Sequence, residues 1–121
     1  LLYTEMRHVA AIANKKGGER ALKFLQSERP LNYQIAANDT NFVVEACEKI
    51  MAAGVDIIDL NCGCPAPSVT GNKSGSALMD DLPRLKSILL TMQSCLKIPF
   101  TVKIRAGFSQ KNAVDVAKLI E

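Results

Sequence analysis

Val55-Asp56-Ile57-Ile58-Asp59-Leu60-Asn61 runs without a break into Cys62-Gly63-Cys64-Pro65. The first seven residues form an apolar run interrupted by Asp56 and Asp59, which suits a parallel strand covered on both faces. The next stretch, Cys62 to Ser74, is rich in Gly, Pro, Ser and Asn and reads as a long loop. A strand that ends on an amide and hands over to a loop carrying two thiols is the point from which the rest of the chain is read.

Working towards the N-terminus, Asn38, Asp39 and Thr40 offer N-cap chemistry for a helix from about Asn41 to Ala53. Val43, Cys47, Ile50 and Met51 form its apolar stripe, and Gly54 is a natural stop. Pro30 opens a strand over Leu31 to Ala36. Gly17-Gly18 precede an expected helix around Glu19 to Leu25, and Leu1 to Met6 reads as the end of a strand. Towards the C-terminus, Leu82 to Cys95 is helical, with Leu82, Leu85, Ile88, Leu89 and Met92 on one side. Pro99 introduces a strand over Phe100 to Ile104, and a last helix begins near Gln110. The order β-α-β-α-β-α-β-α predicts an α/β fold with a parallel sheet and right-handed crossovers. Two closures fit it, a doubly wound open sheet and an eight-stranded (β/α)8 TIM barrel.

The 121 residues are 48% hydrophobic and 22% charged, a balance that argues against disorder. No apolar run approaches the roughly 18 to 20 residues of a membrane span, so no membrane partner is expected. No secretory leader is seen, and a cytoplasmic location is expected. The net charge of +3 permits a polyanionic partner without requiring one. The chain opens at Leu1 within an expected strand and stops at Glu121 within an expected helix, so it is read as an excerpt of a longer protein. Of the four cysteines, Cys47 and Cys95 fall on apolar helix faces and read as packing residues. One histidine and no second cysteine pair at ligand spacing give no support for a zinc site, and no metal is expected.

In either closure, ligands gather at the carboxyl ends of the strands. Gln34, Asn61, Cys64, Lys103 and Arg105 all fall on that rim. A polar residue inside an apolar strand is costly unless paired, so Gln34 and Lys103 need a reason. Either Lys103 pairs with Asp59 or Glu5 inside the sheet, or it faces a ligand. Neither the dinucleotide G-x-G-x-x-G nor the phosphate loop is present, and Gly71-Asn72-Lys73-Ser74-Gly75 lacks the spacing of both. An amide with a lysine suits a flavin, whose ring edge the amide reads and whose reduced form a cation stabilises. A thiol on the following loop could then protonate a substrate stacked on the flavin.

Asp59-Leu60-Asn61-Cys62-Gly63-Cys64-Pro65, then Gly75-Ser76-Ala77-Leu78-Met79, then Thr101-Val102-Lys103-Ile104-Arg105-Ala106-Gly107-Phe108 resemble the tRNA-dihydrouridine synthase family. Thr4-Glu5-Met6 and Tyr33-Gln34-Ile35 fit in order and spacing, so the likeness covers essentially the whole chain. It is strongest to the bacterial branch whose thiol loop reads G-C-P-A. Cys62 departs from the pattern, since similar proteins often carry Met or Val there. The resemblance implies a flavin-binding (β/α)8 barrel followed by a small helical domain, with about four βα units present here. It implies reduction of the C5=C6 bond of uridine in tRNA with FMN, and NADPH as reductant. Gln34, Asn61 and Lys103 would contact the flavin ring, and Arg105 would lie near the target nucleotide. Cys64 would be the general acid that protonates C5 after hydride reaches C6. A thiol of ordinary pKa, near 8.5, suits that role because an acid must keep its proton until transfer. The uridine would leave its stack to reach the pocket.

A complete barrel needs at least about 200 residues. The first strand, the later strands and the helical domain are thus expected to be absent from residues 1 to 121. These residues alone are expected to be inactive and to hold FMN weakly or not at all. Glu5 reads equally as a site carboxylate or a structural ion pair, and His8 as incidental. Lys15, Lys16, Arg20 and Lys23 form a basic cluster, read as a solvated face or a contact for tRNA phosphates. A dihydroorotate-type flavin barrel and a catalytically silent RNA-binding protein are the alternatives.

Overall fold

The sheet is parallel throughout, and its strands stand in chain order. In the computed structural model, which describes residues 1–121 apart from the side chains of residues 15–17, β3 (Leu31–Ala36) and β4 (Ile57–Asn61) are central. On one side β4 pairs with β5 (Phe100–Lys103). On the other, two short stretches, β1 (Leu2–Tyr3) and β2 (Arg7–His8), pair with the beginning and the end of β3. The expected strand over Leu1 to Met6 is therefore broken. A side chain interrupts it: the Thr4 hydroxyl accepts from the Gln34 N–H at 3.0 Å and donates to the Glu5 carbonyl at 3.0 Å, where ladder bonds would otherwise form.

Two helices come next, α1 (Val9–Ala13) and α2 (Lys15–Ala21), and the helix expected around Glu19 to Leu25 is corrected to this earlier pair. His8 Nδ1 accepts from the Ala10 N–H, so α1 starts directly at the end of β2. Gly18 lies inside α2 instead of ahead of a helix because a Cβ there would overlap the Ile12 carbonyl where the two helices meet. The helix α3 (Val43–Ala52) matches expectation except at its cap. Phe42, at φ 62°, occupies the cap position without a side-chain bond, and Asp39 instead accepts from the Asn41 N–H in the preceding turn. The stretch read as loop contains a short helix, α4 (Pro67–Thr70), and a 3-10 segment over Gly75–Asp80 lies beyond it. The helix α5 (Leu82–Cys95) has the expected bounds, capped by Asp81 accepting from the Arg84 N–H, and α6 (Ala113–Ile120) closes the chain.

Side chains alternate across each strand. Tyr33, Ile35, Ile58 and Leu60 point one way and are fully buried with Ile12, Ile50, Ile88 and Met92 of the helices. Consecutive helices α1, α3, α5 and α6 pack neighbour to neighbour in a row over that face. The opposite face carries Asn32, Gln34, Asp59, Asn61, Thr101 and Lys103. As expected, β4 is buried on both faces, but only its helix side is apolar. Helices on one side of a parallel sheet make an arc of a (β/α)8 barrel, whereas a doubly wound sheet is covered on both sides.

Asp56 fastens the beginning of this sheet. Its carboxylate accepts from Arg29 at 2.6 and 3.1 Å and from the Leu31 N–H at 2.8 Å, which joins the approach to β4 to the first residue of β3. These bonds favour the ionised form and hold its pKa below the usual aspartate value. The stabilisation is therefore complete above about pH 3.9 and fades as pH falls through the lower folded value. Asp56→Ala should lower the melting temperature at pH 7, and the difference from the parent should close on acidification. A difference that persists unchanged at pH 2 would assign the effect to packing.

Candidate functional site

The polar face is a connected chain of hydrogen bonds. Parallel register sets Gln34 beside Asp59, Asp59 beside Thr101, and Asn61 beside Lys103. Thr101 donates its hydroxyl to Asp59 Oδ1 at 2.6 Å, and Gln34 Nε2 donates to Asp59 Oδ2 at 2.8 Å. Asn61 Nδ2 donates to Gln34 Oε1 at 2.9 Å. Asn61 Oδ1 then accepts from the backbone N–H of Gly63 at 3.1 Å and of Cys64 at 2.9 Å. The strand interior is in this way tied to the thiol loop.

The loop is clamped from its other side. The Cys64 carbonyl accepts from both the Ser76 N–H and the Ser76 hydroxyl, each at 3.0 Å. Gly75, at φ 61°, lets the two segments touch: a Cβ there would lie 2.7 Å from the Cys64 carbonyl oxygen and 2.8 Å from Val69 Cγ1. This explains the Gly75-Ser76 spacing in physical terms. The two thiols of the loop differ sharply. Cys62 is fully buried in the apolar cluster, where burial, with the Asp59 charge in support, pushes its pKa up to about 12. Cys64 is half-buried and outside that cluster.

A groove of about 450 Å³ opens on the polar face, lined by Tyr3, Gln34, Asp59, Thr101 and Lys103 among others. The structure brings Gln34 and Lys103 into this groove and joins Asn61 and Cys64 to it through bonds, not through the lining itself. The Lys103 side chain is exposed, and its ammonium has no hydrogen bond or ion pair among the described residues. The alternative pairings with Asp59 or Glu5 are not made, since Asp59 is engaged by Gln34 and Thr101, and Glu5 pairs with Arg7 at 3.0 Å on the surface. Arg105 is exposed and lines a separate, smaller depression of about 340 Å³ with Phe108 and Lys111. Arg20 and Lys23 of the basic cluster are exposed, and the side chains of Lys15 and Lys16 lie outside the described residues. Half-burial lowers the pKa of His8.

Asp59, Thr101 and Ser76 were not picked out as site residues from the sequence. A signal for the first two was present. Polar residues recur two apart at Asn32 and Gln34, at Asp59 and Asn61, and at Thr101 and Lys103, which is the spacing of one strand face.

A family model described as dihydrouridine synthase matches residues 1–121. The chain belongs to the dihydrouridine synthase family. Among its relatives, tRNA-dihydrouridine synthase B of Pseudomonas putida is 39% identical over 94 residues, covering 76% of this chain and 28% of that protein. The Yersinia pestis protein of the same name is 39% identical over 92 residues, covering 74% of this chain and 29% of its own length. A probable tRNA-dihydrouridine synthase 1 of Synechocystis is 28% identical over 123 residues, which is all of this chain and 35% of the relative. The chain thus spans about a third of the length of the curated relatives it matches. For a member of this family, the parallel α/β arc is part of a TIM barrel.

The loop geometry has two measurable consequences. Limited treatment with iodoacetamide, read by peptide mass spectrometry, should label Cys64 ahead of Cys62 and Cys47, whose burial raises both pKa values to about 12. Equal labelling of Cys62 in the folded protein would contradict this arrangement. Gly75→Ala should cost about 1–3 kcal/mol from the positive φ alone. It should also change the Cys64 labelling rate, because the added carbon has to displace the Cys64 carbonyl.

Proposed function

We propose that this chain carries the cofactor- and proton-handling part of an FMN-dependent enzyme that reduces uridine to 5,6-dihydrouridine in tRNA. The observation that carries the reading is the Asn61 carboxamide. It bonds Gln34 on one side and the Cys64 N–H on the other, beside a lysine with an unengaged ammonium. A reader of a heterocycle edge, a proton donor and a cation thereby belong to one unit.

The donor set fits a flavin. Beyond their bonds to Asp59 and to each other, Gln34 and Asn61 each keep one N–H, and Lys103 keeps all of its donors. The pyrimidine edge of a flavin is rich in acceptors and gains negative charge on reduction, so donors and a cation are what it needs. In this reading Gln34, Asn61 and Lys103 hold the ring. FMN, when bound, supplies the hydride for C6 of the uridine, with NADPH as the source of electrons. Cys64 holds the proton destined for C5. Its clamp by Asn61 and Ser76 fixes where the sulfur starts. Cys62 is unsuited to the same task because its thiol faces the apolar core. Arg105, Arg20 and Lys23 are the cations available to a tRNA backbone or target nucleotide. A cytoplasmic site of action belongs to the same reading.

In the full-length protein, Cys64→Ala should lower dihydrouridine formation by about 10²–10⁴-fold, measured by nucleoside mass spectrometry of tRNA, with flavin absorbance retained. Lys103→Met should lose flavin. A Cys64→Ala protein that modifies tRNA at the parent rate would remove the acid assignment. A parent protein that oxidises free dihydroorotate and leaves tRNA untouched would replace the reading altogether. Residues 1 to 121 alone should elute from gel filtration without a flavin band, since they supply only part of a barrel rim.

A further inference from the structure

We infer that Asp59 is a positioning residue, whose carboxylate sets the Gln34 amide so that the groove offers N–H donors to a ligand edge made of acceptors. The inference rests on the proposed FMN-dependent function and extends it to a buried residue whose side chain bonds only Gln34 and Thr101 among the described residues.

The argument is one of polarity. At one end of the chain of bonds stand the backbone N–H groups of Gly63 and Cys64, which can only donate. They require an oxygen, so Asn61 turns Oδ1 to the loop and Nδ2 to Gln34. At the other end stands a carboxylate, which only accepts, so Gln34 turns Nε2 to Asp59 and Oε1 to Asn61. Reversing the Gln34 amide would set N–H against N–H at Asn61 and oxygen against oxygen at Asp59. Both ends therefore select the same arrangement. Asp59 is 2% exposed, meets no cation among the described residues, and takes its second bond from Thr101. A buried carboxylate without a cation is costly to desolvate, so its bonds to Gln34 and Thr101 offset that cost rather than add much net stability. Its value lies in what it orients. The neighbouring Asn32 is fully buried with Oδ1 unpartnered, while its Nδ2 lies 3.4 Å from the Thr101 hydroxyl. If residue 59 were Asn, its carbonyl could still face Gln34. The new NH2 would then donate to Thr101, whose hydroxyl could pass its hydrogen to Asn32 Oδ1 after an amide turn.

The test compares Asp59→Asn with Asp59→Leu in the full-length protein. Asp59→Asn keeps an acceptor for Gln34 and should keep the FMN dissociation constant within about threefold of the parent. Asp59→Leu takes the acceptor from Gln34 and Thr101 and should melt below the parent; compared at a temperature where both are folded, it should raise that constant by at least about tenfold. Cys64 labelling should stay at the parent rate, since Asn61 still holds the loop. Equal FMN affinity in Asp59→Leu and parent would overturn the inference, as would equal losses in both variants, which would assign the effect to charge. Should the parent itself bind no FMN, the proposed function fails separately. The inference is then decided by the Gln34 side-chain amide protons in NMR, which should shift and exchange faster in Asp59→Leu and would refute it by staying unchanged.

Discussion

The site depends on one carboxamide. Asn61 is the last residue of β4 and 4% exposed, and its two ends serve different masters. Its oxygen takes two backbone N–H groups from the loop that leaves the strand, in the manner of a side chain capping a turn. Its nitrogen reaches across to β3 and fixes Gln34. A residue with only acceptors could hold the loop but would repel Gln34 Oε1, and one with only donors could not accept from the loop. An amide of this length at this position does both, which is why one side chain ties strand, groove and thiol loop together.

This coupling follows from parallel register. In a parallel ladder the same face of adjacent strands is presented in step, so Gln34, Asp59 and Thr101 stand in a row across three strands. Each polar side chain finds its partner on the next strand and not on its own. The cost of placing an aspartate and two amides within a sheet is thereby met by their mutual bonds. Lys103 is the exception in the row. Its ammonium has no partner among the described residues, and its exposure at the rim keeps it hydrated.

How far this was legible in the sequence varies with the physics of each element. β3 and α5 were readable to their ends, because hydrophobic spacing and flanking prolines mark them locally. The broken first strand was not, since its break depends on the Thr4 hydroxyl meeting Gln34, thirty residues on. The α1–α2 pair was missed for a similar reason: Gly18 signals a helix break locally, but here serves a close helix contact with Ile12. In the site, the identities of Gln34, Asn61, Cys64 and Lys103 could be proposed from strand ends. Asp59 could be noticed only as a stray charge, because its partners lie on two other strands. Ser76 was silent, since a serine on a 3-10 segment gives no hint that its hydroxyl and N–H share one carbonyl.

The contrasting fates of Cys62 and Cys64 show how backbone periodicity sorts chemistry. Ile58, Leu60 and Cys62 succeed one another at intervals of two, and the Cys62 N–H still donates to the Lys103 carbonyl at 2.8 Å. Cys62 therefore continues the helix-facing side of β4 and is delivered into the apolar cluster, whatever its chemistry. Were the strand geometry to persist, Cys64 would be carried to the same side and buried likewise. It is not, because Asn61 captures the next two N–H groups and turns the chain, and Ser76 takes the carbonyl of the residue so turned. Accessibility is thus assigned by where the ladder stops: a thiol inside the ladder becomes packing, and one placed just beyond it, on a residue held through both its N–H and its carbonyl, stays half-exposed.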